Sequence, residues 1–225
     1  MASLDPEMES SPDARSVQDR LVEAGEDLFC QRGFNETSVR DIAAAADCNV
    51  ASINYYFGSK DKLYVEIWRR RLTLIRDARL VSIEKVMSSA APPPLESLLV
   101  SYAGAFLAPM VEGGPACRFA SLTLREMMDP HLPPTMFLDE MVLPVMSAFG
   151  QALQGICPWL TETEARHSML SIAGQLIHIV VAKEAFERGE RSGPFQLELE
   201  EMMNHVIKFS AAGIRAYNEG RGNCE

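Results

Sequence analysis

One stretch carries side chains suited to recognising nucleic acid. Around residues 50–57 a helical projection at about 100° per residue puts Ile53 and Phe57 on one side. Tyr55 lies opposite, flanked by Ala51 and Ser52, with Asn54 at the margin. An amide pairs with adenine, a hydroxyl with several base edges, and small or aromatic groups touch a thymine methyl. Arg40, Lys60 and Lys62 flank this face with positive charge, where phosphates would lie. No pattern for bond-making chemistry stands beside it. There is no Gly-rich phosphate loop, no GxSxG and no HExxH. The four histidines (131, 167, 178, 205) are dispersed and pair with no evident nucleophile. The five cysteines (30, 48, 117, 157, 224) show no CxxC or His/Cys pairing, so no metal or other cofactor is expected and the thiols read as buried or free.

The elements that would position this face are legible nearby. Ser38 reads as an N-cap, and Asp41 three residues on completes an acidic capping box for a helix running to about Ala46. Asp47 and Cys48 break it, Asn49 caps the next helix, and Gly58 closes that one. Two short helices around a break of about three residues make a helix-turn-helix, though an ordinary helical hairpin with a polar outer face has the same spacing. Upstream, residues 16–33 form a helix whose Leu21, Ala24 and Leu28, with Val17 and Phe29, make an apolar stripe capped by Gly33. Ser59 caps a fourth helix, from Lys60 to about Met87 without a breaker, some 40 Å long at about 1.5 Å per residue.

These residues also carry a family resemblance. Thr37-Ser-Val-Arg-Asp-Ile-Ala, then Ser52-Ile-Asn-Tyr-Tyr-Phe-Gly-Ser-Lys60-Asp-Lys-Leu, with the upstream Ala24-Gly-Glu-Asp-Leu-Phe-Cys-Gln-Arg-Gly33-Phe-Asn-Glu-Thr, resemble the DNA-binding domain of the TetR family of bacterial repressors. The likeness covers roughly residues 16–70. It implies a DNA-contacting set of Thr37, Ser38, Arg40, Asn49, Ala51, Ser52, Asn54, Tyr55, Tyr56 and Lys60, with Thr37 and Lys60 on phosphates and Ser52 and Asn54 on bases. One departure is Asp47, where the family usually places Gly in the turn. Asp tolerates a left-handed backbone better than most residues, so the turn is expected to survive at a cost of ~1 kcal/mol.

The rest of the chain fits a regulator of this kind. At 225 residues and 47% apolar it can build one or two real cores. The net charge of −10 argues at first against DNA. Its distribution changes that: residues 1–14 carry four acids and no bases, 15–71 nine of each, and 72–225 twelve bases against eighteen acids. The surplus lies outside the proposed head. Residues 1–14 read as a disordered leader with no signal-peptide pattern, 15–75 as the helix-turn-helix domain, and 76–225 as a ligand-binding and dimerisation domain. No apolar run approaches membrane-span length, so a cytoplasmic protein with no membrane partner is expected.

Past the break at Ala91-Pro-Pro-Pro94 everything reads as helix, at about 94–111, 116–129, 134–156, 161–189 and 196–218, with no strand alternation. The fold class is all-α. The last two helices carry wide apolar stripes, which must be covered on more than one side. The family dimerises through its final two helices, so a homodimer through residues 161–218 is expected, although the stripes could instead complete a monomer core. The middle helices should hold a small apolar or aromatic effector among Tyr102, Phe106, Phe119, Thr123, Met127, Met128, Met141 and Met146, with Arg125, Glu126 and His178 as its polar contacts. Each of these has a plain core or surface alternative. The segment Leu124-Arg-Glu-Met-Met-Asp-Pro130 resembles a TetR subgroup often linked to export-pump genes. The expectation is a ligand-released repressor, homodimeric on a double-stranded palindromic operator. The alternative is an all-α adaptor that never touches DNA, for which a polar, groove-sized helix face with bases beside it has no use.

Overall fold

The computed structural model describes residues 16–89, 91–111, 119, 122, 123, 125–188 and 198–222. The leader at residues 1–14 and the cysteines at 117 and 224 lie outside them. The described residues form an all-α protein. The helices are α1 (Val17–Arg32), α2 (Val39–Ala45), α3 (Val50–Tyr56), α4 (Lys60–Met87), α5 (Leu95–Val111), α6 (Leu143–Ile156), α7 (Glu162–Arg188) and α8 (Leu199–Gly222). Of the stretch 116–129, only 119, 122, 123 and 125–128 are described as helical. By contacts the chain divides into two compact units between Ile67 and Trp68, inside α4.

The first unit is set by its caps. Ser38 accepts from the Asp41 amide while the Asp41 carboxylate accepts from the Ser38 amide, closing the capping box at α2. Asn49 accepts from the Ala51 amide at 2.8 Å and starts α3. Between them Asp47 takes a left-handed backbone, with φ at 49°. That conformation turns the chain, so α1, α2 and α3 pack on one another. Their shared core is Leu21, Phe29, Ile42 and Ile53, joined by Leu63, Tyr64 and Ile67 from the start of α4, all essentially inaccessible. Gly25 of α1 lets these helices approach closely: a Cβ on it would sit 3.0 Å from Ile67 Cδ1, and that side chain would have to give way.

In the second unit α5 packs against α6, α7 and α8, and α7 against α6 and α8. Tyr102, Leu98, Phe149, Leu153, Ile172 and Leu176 make the centre of its core. The expected continuous helix over 134–156 is not regular. Leu138–Val142 is a π-helical turn that feeds α6. The physical reason is Pro144, near the start of α6. Proline has no N–H, and its ring clashes with the carbonyl four residues back, here that of Glu140. A wider turn relieves the clash. Among the described residues no helix is long and apolar enough to cross a membrane, and no group of three or more His, Cys, Asp or Glu could hold a metal ion.

Candidate functional site

The outer face of α3 stands as its spacing predicts. Ile53 is fully buried, whereas Tyr55 is 82% exposed and Ala51, Asn54 and Tyr56 also face solvent. Ser52 is half-buried at the edge. The Tyr55 and Tyr56 rings meet edge-on, 4.9 Å between centroids, so each limits the other's rotamers. Arg40 on α2 is exposed as well. Ser38 and Asn49 are exposed too, but their side chains already serve as helix caps. Hydrogen bonds from the Ser38 hydroxyl and amide hold the Asp41 carboxyl below its ordinary pKa. It stays ionised, which suits the positive end of α2.

Two residues expected on phosphates have other duties. Thr37 is 1% exposed, and its hydroxyl donates to the Gly33 carbonyl at 2.8 Å. Its side chain ties the end of α1 to the start of α2, with its hydroxyl engaged inside the protein. Lys60 Nζ donates to the carbonyls of Phe34 at 2.9 Å and Thr37 at 3.1 Å, and sits 4.0 Å from the centre of the Phe34 ring. Two of its three donors are therefore spent inside the protein.

The expected effector residues fall into separate places. Tyr102, Phe119 and Met141 are buried, with Phe106, Thr123 and Met146 half-buried. Tyr102 packs on Phe149 and Phe106, and Phe119 on Trp68 at 4.6 Å. The Thr123 hydroxyl donates back to the Phe119 carbonyl. The polar contacts do not join this group as expected. Arg125 is exposed, as are Met127 and Met128, so these three point to solvent. Glu126 is buried but accepts the His131 and Leu132 amides, both at 2.6 Å, which makes it the clasp of the following loop. His178 is exposed on α7, in an open cleft between α7 and α8 that His205 also lines. That cleft borders an apolar face made by Leu170, Ile177 and Val181 of α7 with Phe209 and Tyr217 of α8.

One polar residue the spacing argument missed sits inside the second unit. Arg79 of α4 is 8% exposed, and its Nη1 donates to Met141 Sδ at 3.2 Å. Its guanidinium lies 3.9 Å from the Phe106 ring centre. The signal was present in the sequence: Arg79 is seven residues after Leu72 and four before Ile83, on the apolar stripe of α4.

Comparison with known proteins fits this geometry. The model of "Bacterial regulatory proteins, tetR family" matches residues 21–67, and that of "Tetracyclin repressor-like, C-terminal domain" matches residues 101–213. The chain is 52% identical over 48 residues to the probable HTH-type transcriptional regulator YttP of Bacillus subtilis (strain 168). That match spans 21% of this chain and 23% of the relative. Among solved structures, the regulator FadR from Bacillus subtilis in complex with stearoyl-CoA is similar, with a TM-score of 0.67 at 15% identity over 87% of this chain and 98% of that one. A TetR-like regulator from Rhodococcus sp. RHA1 gives 0.58 at 17% identity, over 92% and 99%. At these identities the likeness concerns the fold. The two family models together span head and body, with the exposed face of α3 in the first. The chain belongs to the TetR family of transcriptional regulators, DNA-binding proteins rather than enzymes.

Proposed function

We propose that the protein is a cytoplasmic, ligand-released repressor that acts as a homodimer on a palindromic operator. The observation that carries the DNA-reading part is the exposed face of α3, with Tyr55, Asn54 and Ala51 presented to solvent on a buried Ile53 anchor. A face of that size suits the major groove, where Ser52 and Asn54 would read base edges. Arg40, and the one donor of Lys60 not engaged with Phe34 and Thr37, would add phosphate contacts. The apolar face of α7 and α8 supports self-association, because a second copy offers it a matching surface and a twofold protein reads a twofold site. The effector would be a small molecule with an apolar or aromatic body, held in the second unit near Tyr102, Phe106 and Met141. The helix α4 is the mechanical link, since it begins with the head's Lys60 and continues unbroken to Met87. By linkage, an effector that weakens operator binding must itself bind the DNA-bound form more weakly by the same factor.

Selection of operators from random duplex DNA tests this reading. A near-palindromic consensus is expected, and Asn54→Ala should relax preference at one position in each half-site, at about 1–3 kcal/mol. Enrichment of no consensus at all, or of one that Asn54→Ala leaves untouched, would sink the docking assumed here.

A further inference from the structure

Arg79 is a buried cation with no counter-ion among the described residues. Its Nη1 is held by a thioether, its plane rests on the Phe106 ring, and its Nε has no hydrogen-bond partner. Among the described residues no carboxylate stands within ion-pair reach of it, and the neighbouring Tyr102 phenol, whose pKa burial raises, stays neutral and offers no counter-charge. Arginine does not escape burial by shedding its proton at any ordinary pH. A thioether and a ring are weak partners for a full charge, and an unpaired ion inside a protein is strongly unfavourable. Burial disfavours the charged guanidinium here, yet the fold keeps it.

We propose that Arg79 is the anchor for the carboxylate of an otherwise apolar effector. This deepens the ligand-released reading above and rests on it for its biological meaning. A carboxylate fits for two reasons. The Nε and one Nη of a guanidinium form a fork that matches its two oxygens, and here Nε is buried without a hydrogen-bond partner while Nη1 holds only the Met141 sulfur. One cation also balances one negative charge, where a phosphate monoester would remain half neutralised. The apolar body follows from the surroundings, Tyr102, Phe106 and Met141. The site also offers a route to regulation. Met141 belongs to the π-helical turn Leu138–Val142, and Arg69 and Arg76 of α4 also hold that turn, at the Glu140 carboxylate and carbonyl. A carboxylate that replaces the Met141 sulfur on Arg79 releases one of three clasps between the turn and α4.

The test uses the full chain, thermal unfolding and four probe pairs: benzoate, phenylacetate, octanoate and decanoate, each against its uncharged amide. At least one carboxylate should raise the melting temperature in a dose-dependent way while its amide does not. Arg79→Met should weaken that carboxylate about 10- to 100-fold, as loss of a charge-assisted bond does. Without ligand it should melt no lower than wild type, because it replaces an unpaired ion with an apolar chain of similar length. Met141→Leu, which removes the competing sulfur but keeps the anchor, should bind the carboxylate at least as well as wild type. Carboxylates that do no better than their amides, or a carboxylate response undiminished in Arg79→Met, would overturn the proposal. Carboxylate binding that depends on Arg79 but leaves operator affinity unmoved would uphold the anchor and refute ligand-released repression.

Discussion

At the scale of single residues, local chemistry was legible and tertiary duty was not. The caps of α2 and α3 depend on neighbours within three positions, so Ser38, Asp41 and Asn49 could be placed from sequence. Thr37 and Lys60 could not. Their partners, Gly33 and Phe34, lie just past the end of α1, and only the folded turn brings Lys60 within 2.9 Å of a carbonyl 26 positions away. Arg79 was missed because its meaning lies in what surrounds it. Two predictions belong here. Lys60→Ala should destabilise the protein by about 1–2 kcal/mol, since it deletes charge-assisted bonds and a ring contact at a half-exposed site. A urea midpoint checks this, and an unchanged midpoint with weakened operator binding would return Lys60 to a purely phosphate-binding role. Asp47→Gly should have the opposite sign. A left-handed residue with a side chain costs about 1–2 kcal/mol, and the extra freedom of an unfolded glycine takes back about 0.5–1 kcal/mol. The net expectation at φ 49° is a gain of roughly 0.5–1 kcal/mol. A lower urea midpoint would show that the Asp47 side chain contributes more than its backbone strain costs.

At the scale of elements, apolar periodicity placed the helices, and proline exposed the limit of that method. A period of 3.6 reads straight through residues 134–156, because the apolar positions on either side of Pro144 remain in phase to the eye. What periodicity cannot see is the hydrogen-bond account of each carbonyl. Pro144 has no N–H to give the Glu140 carbonyl four residues back. That carbonyl instead accepts from Arg76 Nη1 at 3.3 Å, so a side chain of α4 completes the backbone of a distant segment. The two residues should therefore be energetically coupled. In a double-mutant cycle, Arg76→Met should cost about 1 kcal/mol less in a Pro144→Ala background than in wild type, because the alanine supplies the missing amide. Chemical denaturation of the four proteins measures it. Strict additivity would mean that Arg76 and Pro144 act independently, and that the turn has another origin.

At the scale of the molecule, charge was more informative by region than in total. A net charge of −10 suits neither DNA nor its absence until it is seen that residues 15–71 are balanced. The wide stripes on the last two helices were also legible, yet sequence could not divide them into an inner and an outer half. The structure makes that division for α7: Met169, Ile172 and Leu176 are buried, while Leu170, Ile177 and Val181 are left to solvent beside Phe209 of α8, itself 64% exposed. Ile177, at 43% exposed, is thus a position where a charge is tolerated by the monomer and would be rejected by the partner of the proposed homodimer. Ile177→Glu should leave the helix content and melting of the subunit near wild type, shift sedimentation to a 24.9 kDa species and abolish operator binding. Tight operator binding by that monomeric species would refute the homodimer reading. The same outer face has a genetic consequence. It belongs to the second unit and the α3 face to the first, so a copy disabled at Asn54 and Tyr55 still carries it intact. Expressed in excess beside the wild-type gene, such a copy would draw normal subunits into mixed pairs with one working head. Loss of repression would then be dominant, and adding Ile177→Glu to the same copy should make it recessive.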